Sequence, residues 1–596
     1  MNNLPVLSPS GLLRRPPVSA PQSGVTDCLV VGFCEQDFPS YVKSVRAMGE
    51  DSGAFRDLDL AFINWQGTPY RSMDILNQFH RQDGRPAQFH NTDFVWPVIF
   101  YLCTYLWRHG FSFDYVNLFQ QEKDKLAEQL KSGTVRTVAI TTTLYVSPQP
   151  ILEIVEFIRR HDEDVTIIIG GPYVSNLPKM LDRESMEGVL EYLGGDIYVI
   201  SQEGEQELVA VLDALRRNER LAGIPNIAYR DGDEFVVTEA VVSRTELARN
   251  MVNYSLFAGH DVGELVSLRT AKSCPFRCKF CGFPQRAGKY TYLDVELVER
   301  ELDAIAAMGG VSTLTFIDDT FNIPKPRFKE LLRMMIRNNY GFRWNCFYRS
   351  DHGDDEAIEL MREAGCEGVF LGVESGSDEQ LKRMNKTARR HHYMHAIGKL
   401  TEAGISSYTS LIVGFPGETE QTIRESISLV EQAQPTFWRA QLWYADPVTP
   451  IWKEKDHYNI QGEGFEWSHA TMNSKHACDV IDDMFVNMKN SSWLPQWGFE
   501  FWSTFYLQRK GMPKAQLTSF VDAFNNVIKD KLRGGHREAR ADGPIQDVAR
   551  LAKFGSEASK SSASPSVPVV NTSPSTVQPR IEKQHVEKQR VEEQRA

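Results

Sequence analysis

Three cysteines, Cys274, Cys278 and Cys281, lie in the stretch Ser273-Cys274-Pro275-Phe276-Arg277-Cys278-Lys279-Phe280-Cys281, with gaps of three and then two residues. Three thiolates on one tight loop are metal chemistry. A [4Fe–4S] cluster ordinarily takes four cysteines, so a loop that supplies three leaves one iron open to a ligand that is not protein. Zinc would require a fourth Cys or His at similarly short spacing. The next cysteine is Cys346, and no histidine lies between Cys281 and it. The spacing favours the cluster; a zinc knuckle and chance spacing are the alternatives.

The elements that must position this loop come in two alternating series. From Thr26 to about Tyr229, short apolar runs alternate with helical segments. Strands are expected at Cys28–Gly32, Phe113–Leu118, Val135–Thr141, Val165–Ile169 and Ile197–Ile200. Between them, Ile151, Ile154, Val155 and Ile158 have helical spacing. Continuous apolar strands alternating with helices predict a doubly wound parallel sheet, with ligands bound beyond its carboxyl ends. A second series runs from about Leu265 to Pro450, with six strands starting at Leu265, Leu314, Trp344, Val369, Ser407 and Phe437. Six such units predict an incomplete barrel whose chemistry sits at the carboxyl ends of its strands. The cysteine loop follows the first strand. Asp318-Asp319, Arg349, Glu374-Ser375-Gly376 and Gly414-Phe415-Pro416-Gly417-Glu418-Thr419 follow others. From Ile451 to about Gly555 no strand series is visible. An aromatic cluster from Trp493 to Tyr506 reads there as the core of a helical cap, with a minority of its rings available to a substrate pocket.

These residues together resemble the radical S-adenosylmethionine (SAM) enzymes. Phe280 stands where that family has an aromatic before the last cysteine. The resemblance implies that Cys274, Cys278 and Cys281 hold a [4Fe–4S] cluster, with the amino and carboxylate groups of SAM on the open iron. It implies that Glu374, with Ser375, binds the SAM ribose; a carboxylate accepts two hydrogen bonds from a vicinal diol. It implies that Gly414 and Pro416 form the turn beside the adenine. Asp318, Asp319 and Arg349 are candidate catalytic residues. Helix capping is the alternative for the two acids, and an ion pair with Asp351 the alternative for Arg349. The implied chemistry is reductive cleavage of SAM to a 5′-deoxyadenosyl radical that abstracts a hydrogen, with flavodoxin or ferredoxin as the electron donor.

A doubly wound sheet before such a barrel resembles the cobalamin-binding branch of the family. Thr142-Thr143-Leu144 resembles its Ser/Thr-x-Leu loop, Gly170-Gly171 its double glycine, and Gln202-Glu203-Gly204-Glu205 the loop after its last strand. The resemblance implies cobalamin held by Thr142, Thr143, Leu144, Gly170, Gly171, Glu203 and Gly204. No Asp-x-His-x-x-Gly occurs in this region, so no histidine is expected below cobalt. The expected architecture is thus α/β, with disordered tails at 1–25 and 556–596. Between them lie a cobalamin-binding-like Rossmann-type domain over 26–250, a partial (β/α)6 radical SAM barrel over 255–450 and a helical cap over 451–555. With both cofactors, the implied reaction is methyl transfer from methylcobalamin to an unactivated carbon or phosphinate phosphorus of a small molecule. Non-methylating oxidative cyclisation or rearrangement is the alternative. Stretches at Asp51–Phe62, His90–Phe94 and Trp467–Met472 are similar to the phosphinate P-methyltransferases, and make Asp93 and His469 candidate substrate contacts beside a purely structural role.

Composition bounds these readings. The chain has 596 residues, 42% of them apolar, enough for about three or four domains. A net charge of −12 argues against bulk nucleic-acid binding, and so against a methylthiotransferase acting on RNA. That activity would also need three more suitably placed cysteines. Nine cysteines over this length are not a disulfide scaffold. Cys28, Cys34, Cys103, Cys346, Cys366 and Cys478 are expected as small buried apolar residues. No run reaches the length of a membrane span. An exposed cluster needs a reducing compartment, so cytoplasm is the expected location.

Overall fold

The computed structural model describes residues 24–555, apart from 83, 233, 243–245, 259, 261, 535–538 and 542. The two expected tails lie almost wholly outside the described residues. Five strands form the parallel part of the N-terminal sheet: β1 (Cys28–Phe33), β2 (Phe113–Leu118), β3 (Thr137–Thr141), β4 (Thr166–Gly170) and β5 (Ile197–Val199). Their order is 2-1-3-4-5. Val30 of β1 pairs with Tyr115 on one side and Ala139 on the other. The sequence order reverses between β1 and β3, which opens a crevice at the carboxyl ends of those strands. An antiparallel hairpin, Ile227–Asp231 with Glu234–Val237, extends the sheet beyond β5.

The two faces of this sheet explain its uninterrupted apolar strands. Leu29 and Val31 pack with Ile151, Ile154 and Ile158 of the helix Gln149–His161. Cys28 and Val30 point the other way, to Ile99, Phe100 and Cys103 of the helix Pro97–Arg108. A strand covered on both sides has no polar face to alternate with.

The second sheet is entirely parallel, in the order β6 (Leu265–Leu268), β7 (Thr313–Phe316), β8 (Arg343–Phe347), β9 (Cys366–Glu374), β10 (Ser406–Val413), β11 (Phe437–Leu442) and β12 (Ser492–Trp493). The six expected strands are all present. β12 is a seventh, two residues long, paired beside Phe437 and Trp438. It was not legible because two residues carry no periodicity. The region after Ile451 is mainly helical and also holds a small antiparallel sheet, Gln461–Glu463, Glu466–His469 and Met472–Asn473. Within it, the helix Phe501–Arg509 presses Phe501 and Phe505 against Gly368 of β9, where even a Cβ would come within 2.3 Å of the Phe505 ring. The aromatic cluster is therefore largely core, packed against Tyr408 and Phe437. Among the described residues no helix is long and apolar enough to cross a membrane.

Candidate active site

The cysteine loop hangs from the carboxyl end of β6 and is held by Asp318, at the end of β7. One Asp318 oxygen accepts the backbone N–H of Thr270 at 2.7 Å and of Ala271 at 2.8 Å; the other accepts the Thr270 hydroxyl at 2.5 Å. Asp318 is fully buried, and burial pushes its carboxyl upward despite these donors. It acts on the strand end that carries the loop and caps no helix. Arg349 behaves similarly. Its guanidinium makes a two-pronged contact with Asp351, at 3.1 and 3.0 Å, and lies 3.6 Å from the centre of the Phe276 ring inside the cysteine loop. Burial opposes the Asp351 charge, yet Arg349 and Thr387 hold that carboxyl down at about 2. Asn322 locks the ends of β7 and β8 together by exchanging two 2.9 Å hydrogen bonds with the Arg349 backbone.

Asp319 is the acid left over. Its side chain is exposed to solvent. Burial pushes it up to about 7, Asp318 adding to this and Arg269 opposing it. Its charge reaches both Cys274 and Cys281. Burial pushes the Cys281 thiol up to about 11 and Cys274 upward as well, and each is raised further by its neighbours in the triad. The three sulfurs therefore lie together, half-buried, whereas the six other cysteines are all buried. Three neighbouring thiols on one loop, with every other cysteine buried elsewhere among the described residues, are the donor set of a cluster with one open iron.

β9 and β10 carry the next candidates at their carboxyl ends. Glu374 ends β9 with φ +66°, beside an irregularity in the pairing with β10. Its carboxylate folds back over Gly372, where a Cβ would come within 2.5 Å of Oε1. The ammonium of Lys386 meets that oxygen at 3.2 Å and also donates to the Gly372 carbonyl. Lys386 is buried under Phe280 and Tyr393, about 6 Å from either ring centre. The sequence reading missed Lys386. Its only signal was a basic run, Lys382 to His392, in an acidic chain.

Ser375 turns inward instead, 3.2 Å from the Ser426 hydroxyl and bonded by the Ser377 N–H. Gly414 has φ +93°, and a Cβ there would strike the Trp467 ring at 2.3 Å. Its N–H donates to Glu418 at 2.5 Å and its carbonyl faces His469 Nε2 at 2.9 Å. Pro416 is buried in the same turn, and Phe415 meets Phe280 edge-on at 6.5 Å. His469 is stacked on Trp467, and burial lowers its basicity. Asp93 accepts the Tyr506 hydroxyl at 2.9 Å. Both thus have structural partners.

At the carboxyl edge of the N-terminal sheet, Thr142 is fully buried, donating to the Gly170 carbonyl at 3.0 Å and accepting the Tyr173 N–H at 3.2 Å. Gly171, at φ +109°, lies so close that a Cβ would meet Thr142 Oγ1 at 2.8 Å. Beyond the half-buried Thr143, Leu144 stands 66% exposed with φ +66°, and Val146 is 74% exposed. Gly204 packs on Val199, and Glu203 forms an ion pair with Lys272, two residues before Cys274. That pair sets the carboxyl edges of the two sheets against each other. Leu144 therefore stands exposed and strained beside the crevice at the strand-order reversal.

Residues 268–430 match the model of the Radical SAM superfamily. This stretch is a radical SAM domain. Its cofactors are accordingly SAM and a [4Fe–4S] cluster, and the matched stretch contains the three cysteines, Asp318, Arg349, Glu374 and Gly414. The chain is 22% identical over 429 residues to an uncharacterised methyltransferase of Pyrococcus horikoshii, covering 69% of this chain and 85% of the relative. It is 25% identical over 394 residues to the anaerobic magnesium-protoporphyrin IX monomethyl ester cyclase of Cereibacter sphaeroides, covering 63% and 62%. Its fold is similar to that of OxsB, a cobalamin-dependent SAM radical enzyme solved with aqua-cobalamin and SAM, with a TM-score of 0.55 and 14% identity over 85% of this chain and 72% of that one.

Proposed function

We propose that this protein is a cobalamin-dependent radical SAM methyltransferase acting on a small molecule. The observation that carries the reading is the apposition of two carboxyl edges, held by Glu203 and Lys272: one presents the cysteine triad, the other Leu144, Val146 and Gly170-Gly171. When bound, the cluster and SAM supply the 5′-deoxyadenosyl radical, and methylcobalamin supplies the methyl group. The chain's own residues bind and orient. Cys274, Cys278 and Cys281 hold iron, Glu374 receives the SAM ribose, and Asp318 and Arg349 keep the loop in place. Asp319, exposed at the end of β7 and close enough to Cys274 and Cys281 for its charge to reach them, is a carboxyl placed to contact the substrate or the SAM amino group. Leu144 and Val146 offer the apolar bed for the corrin ring, with Gly170 and Gly171 leaving room beside it.

The methyltransferase name of the Pyrococcus relative supports methyl transfer. The resemblance of the stretches at Asp51–Phe62, His90–Phe94 and Trp467–Met472 to the phosphinate P-methyltransferases is what puts phosphinate phosphorus beside unactivated carbon as the proposed acceptor. The cyclase relative keeps oxidative ring formation as the second reading. The test is anaerobic reconstitution with iron, sulfide and cobalamin, followed by absorbance and iron assay. Bound corrin and about four irons per chain are expected, with the iron lost in Cys278→Ala. A cluster without corrin would sink the methyltransferase reading and leave the superfamily assignment intact.

A further inference from the structure

A cleft of about 580 Å³ opens at the amino ends of β11 and β12, the end of the barrel opposite the cysteine loop. One side is aromatic. Trp438 and Trp493 are paired neighbours on the two strands, with their rings edge to face at 4.9 Å. Phe485 and Met488, from the end of the helix Ser474–Asn487, continue that side. The other side is the helix Lys514–Gly534, which lines the cleft with Thr518, Asp522, Asn525 and Lys529. Spacings of four, three and four residues put these on one face of the helix. Leu517, Phe520, Phe524 and Ile528 form the buried face beside it. A polar helix face turned into a groove against aromatic rings is not what packing alone selects.

Two atoms lining the cleft are buried with nothing to bond. Trp493 and Asn525 are each 2% exposed. The Asn525 side chain donates to the Trp493 carbonyl at 2.8 Å, which leaves its Oδ1 without a donor. Trp493 Nε1 has no acceptor among the described residues. Orphaned buried donors and acceptors are rare in native proteins, because each forfeits its hydration for nothing. The charges are unspent as well. Asp522 is exposed beside the Ser492 hydroxyl, and the Lys529 ammonium lies 5.3 Å from the centre of the Phe485 ring. Neither makes an ion pair among the described residues; two helical turns set their Cα atoms about 10 Å apart. Asp522 is one turn from Asn525, and Lys529 shares the Phe485 ring with Trp493. The cleft thus pairs an acid with a neutral acceptor, and a base with a neutral donor.

We propose that this cleft binds a free α-amino acid with an apolar side chain. The ammonium lies between Asp522 and Asn525 Oδ1, the carboxylate between Lys529 and Trp493 Nε1, and the side chain on Phe485 and Met488. A zwitterion serves both charges and both orphaned atoms, whereas a lone anion or cation leaves one of each unserved. The occupant is not the substrate of the reaction, because the cysteine loop is at the other end of the strands. Trp493 is also the ring over which the Arg439 guanidinium lies, at 5.2 Å, and Arg439 pairs with Asp57 of the helix Gly53–Asp59. The site therefore borders a contact between the barrel and the N-terminal part of the chain.

The experiment titrates the full-length, cluster-reconstituted protein by calorimetry with L-leucine, and with N-acetyl-L-leucine and L-leucinamide, each of which lacks one charge. L-Leucine should bind at one site per chain, and each derivative about 10-fold or more weakly. Asp522→Asn should lose about 10-fold in affinity for L-leucine and none for N-acetyl-L-leucine, which has no ammonium. Lys529→Met should lose about as much for L-leucine and none for L-leucinamide, which has no carboxylate. Iron uptake should be that of the wild type in both variants. No binding of L-leucine by the wild type, derivatives that bind as well as L-leucine, or variants that bind L-leucine like the wild type would each overturn the proposal.

Discussion

The cysteine triad depends on a residue that does no chemistry. Asp318 accepts three hydrogen bonds from Thr270 and Ala271 on the strand end that carries the loop. Asn in its place keeps the shape and loses the charge and one acceptor. Asp318→Asn is expected to cost about 2 kcal/mol, in line with a lost buried charge-assisted bond. It should also lower iron content after reconstitution, as read by chemical denaturation and iron assay. Glu418 works at the same scale. Burial pushes its carboxyl up to about 8, from 4.5 when unfolded, against the Gly414 N–H that favours ionisation. Between those values the folded state binds more protons than the unfolded one, so stability declines as pH rises through that window. Glu418→Gln should therefore resemble the wild type near pH 5 and be more stable by about 2 kcal/mol near pH 8. Thermal melts at the two pH values check this; parallel curves would refute it.

At the scale of single elements, the turns at the strand ends carry most of the constraint. Gly171 begins the helix Pro172–Met180 at φ +109°, with Thr142 packed where a Cβ would go. Gly171→Ala meets both a strained backbone and a clash, and is expected to destabilise by about 2–3 kcal/mol. It should weaken corrin uptake in the same preparation, as measured by bound-cobalamin absorbance. The strands themselves were legible in advance because each is a continuous apolar run between turn signals. The two-residue β12 and the 461–473 sheet were not. Their pairing comes from neighbours brought by the chain, and not from any local pattern.

At the scale of the whole molecule, the stretches that resembled a particular subfamily prove to be contacts between distant parts of the chain. The helix Gly53–Asp59 is tied to the barrel side: Arg56 bonds Asp479 at 2.6 Å, Asp57 bonds Arg439 at 3.0 Å, and Asp59 takes Lys531 at 2.9 Å. The His90–Phe94 loop is gripped by Trp502, Ser503 and Tyr506. Arg439 is only 1% exposed and also donates to the Pro495 carbonyl. Removing one partner of a buried pair strands the other. Arg439→Met should therefore cost about 3 kcal/mol and lower the midpoint of guanidinium unfolding.

The sequence alone determined which chemistry starts in this molecule. Three cysteines at fixed spacing, acids and glycines after apolar runs, and two alternating series are all local facts, and local facts survive without coordinates. Only the tertiary structure decided what each of those residues does. Asp318, Arg349 and Ser375 hydrogen-bond the scaffold, Asp319 stays exposed at the end of β7, Glu374 pairs with a buried lysine, and that Lys386 arrives from the loop after the helix Asp378–Arg383. Hydrogen-bond partners and burial set these roles. Both depend on segments tens to hundreds of residues away, so no local pattern carries them.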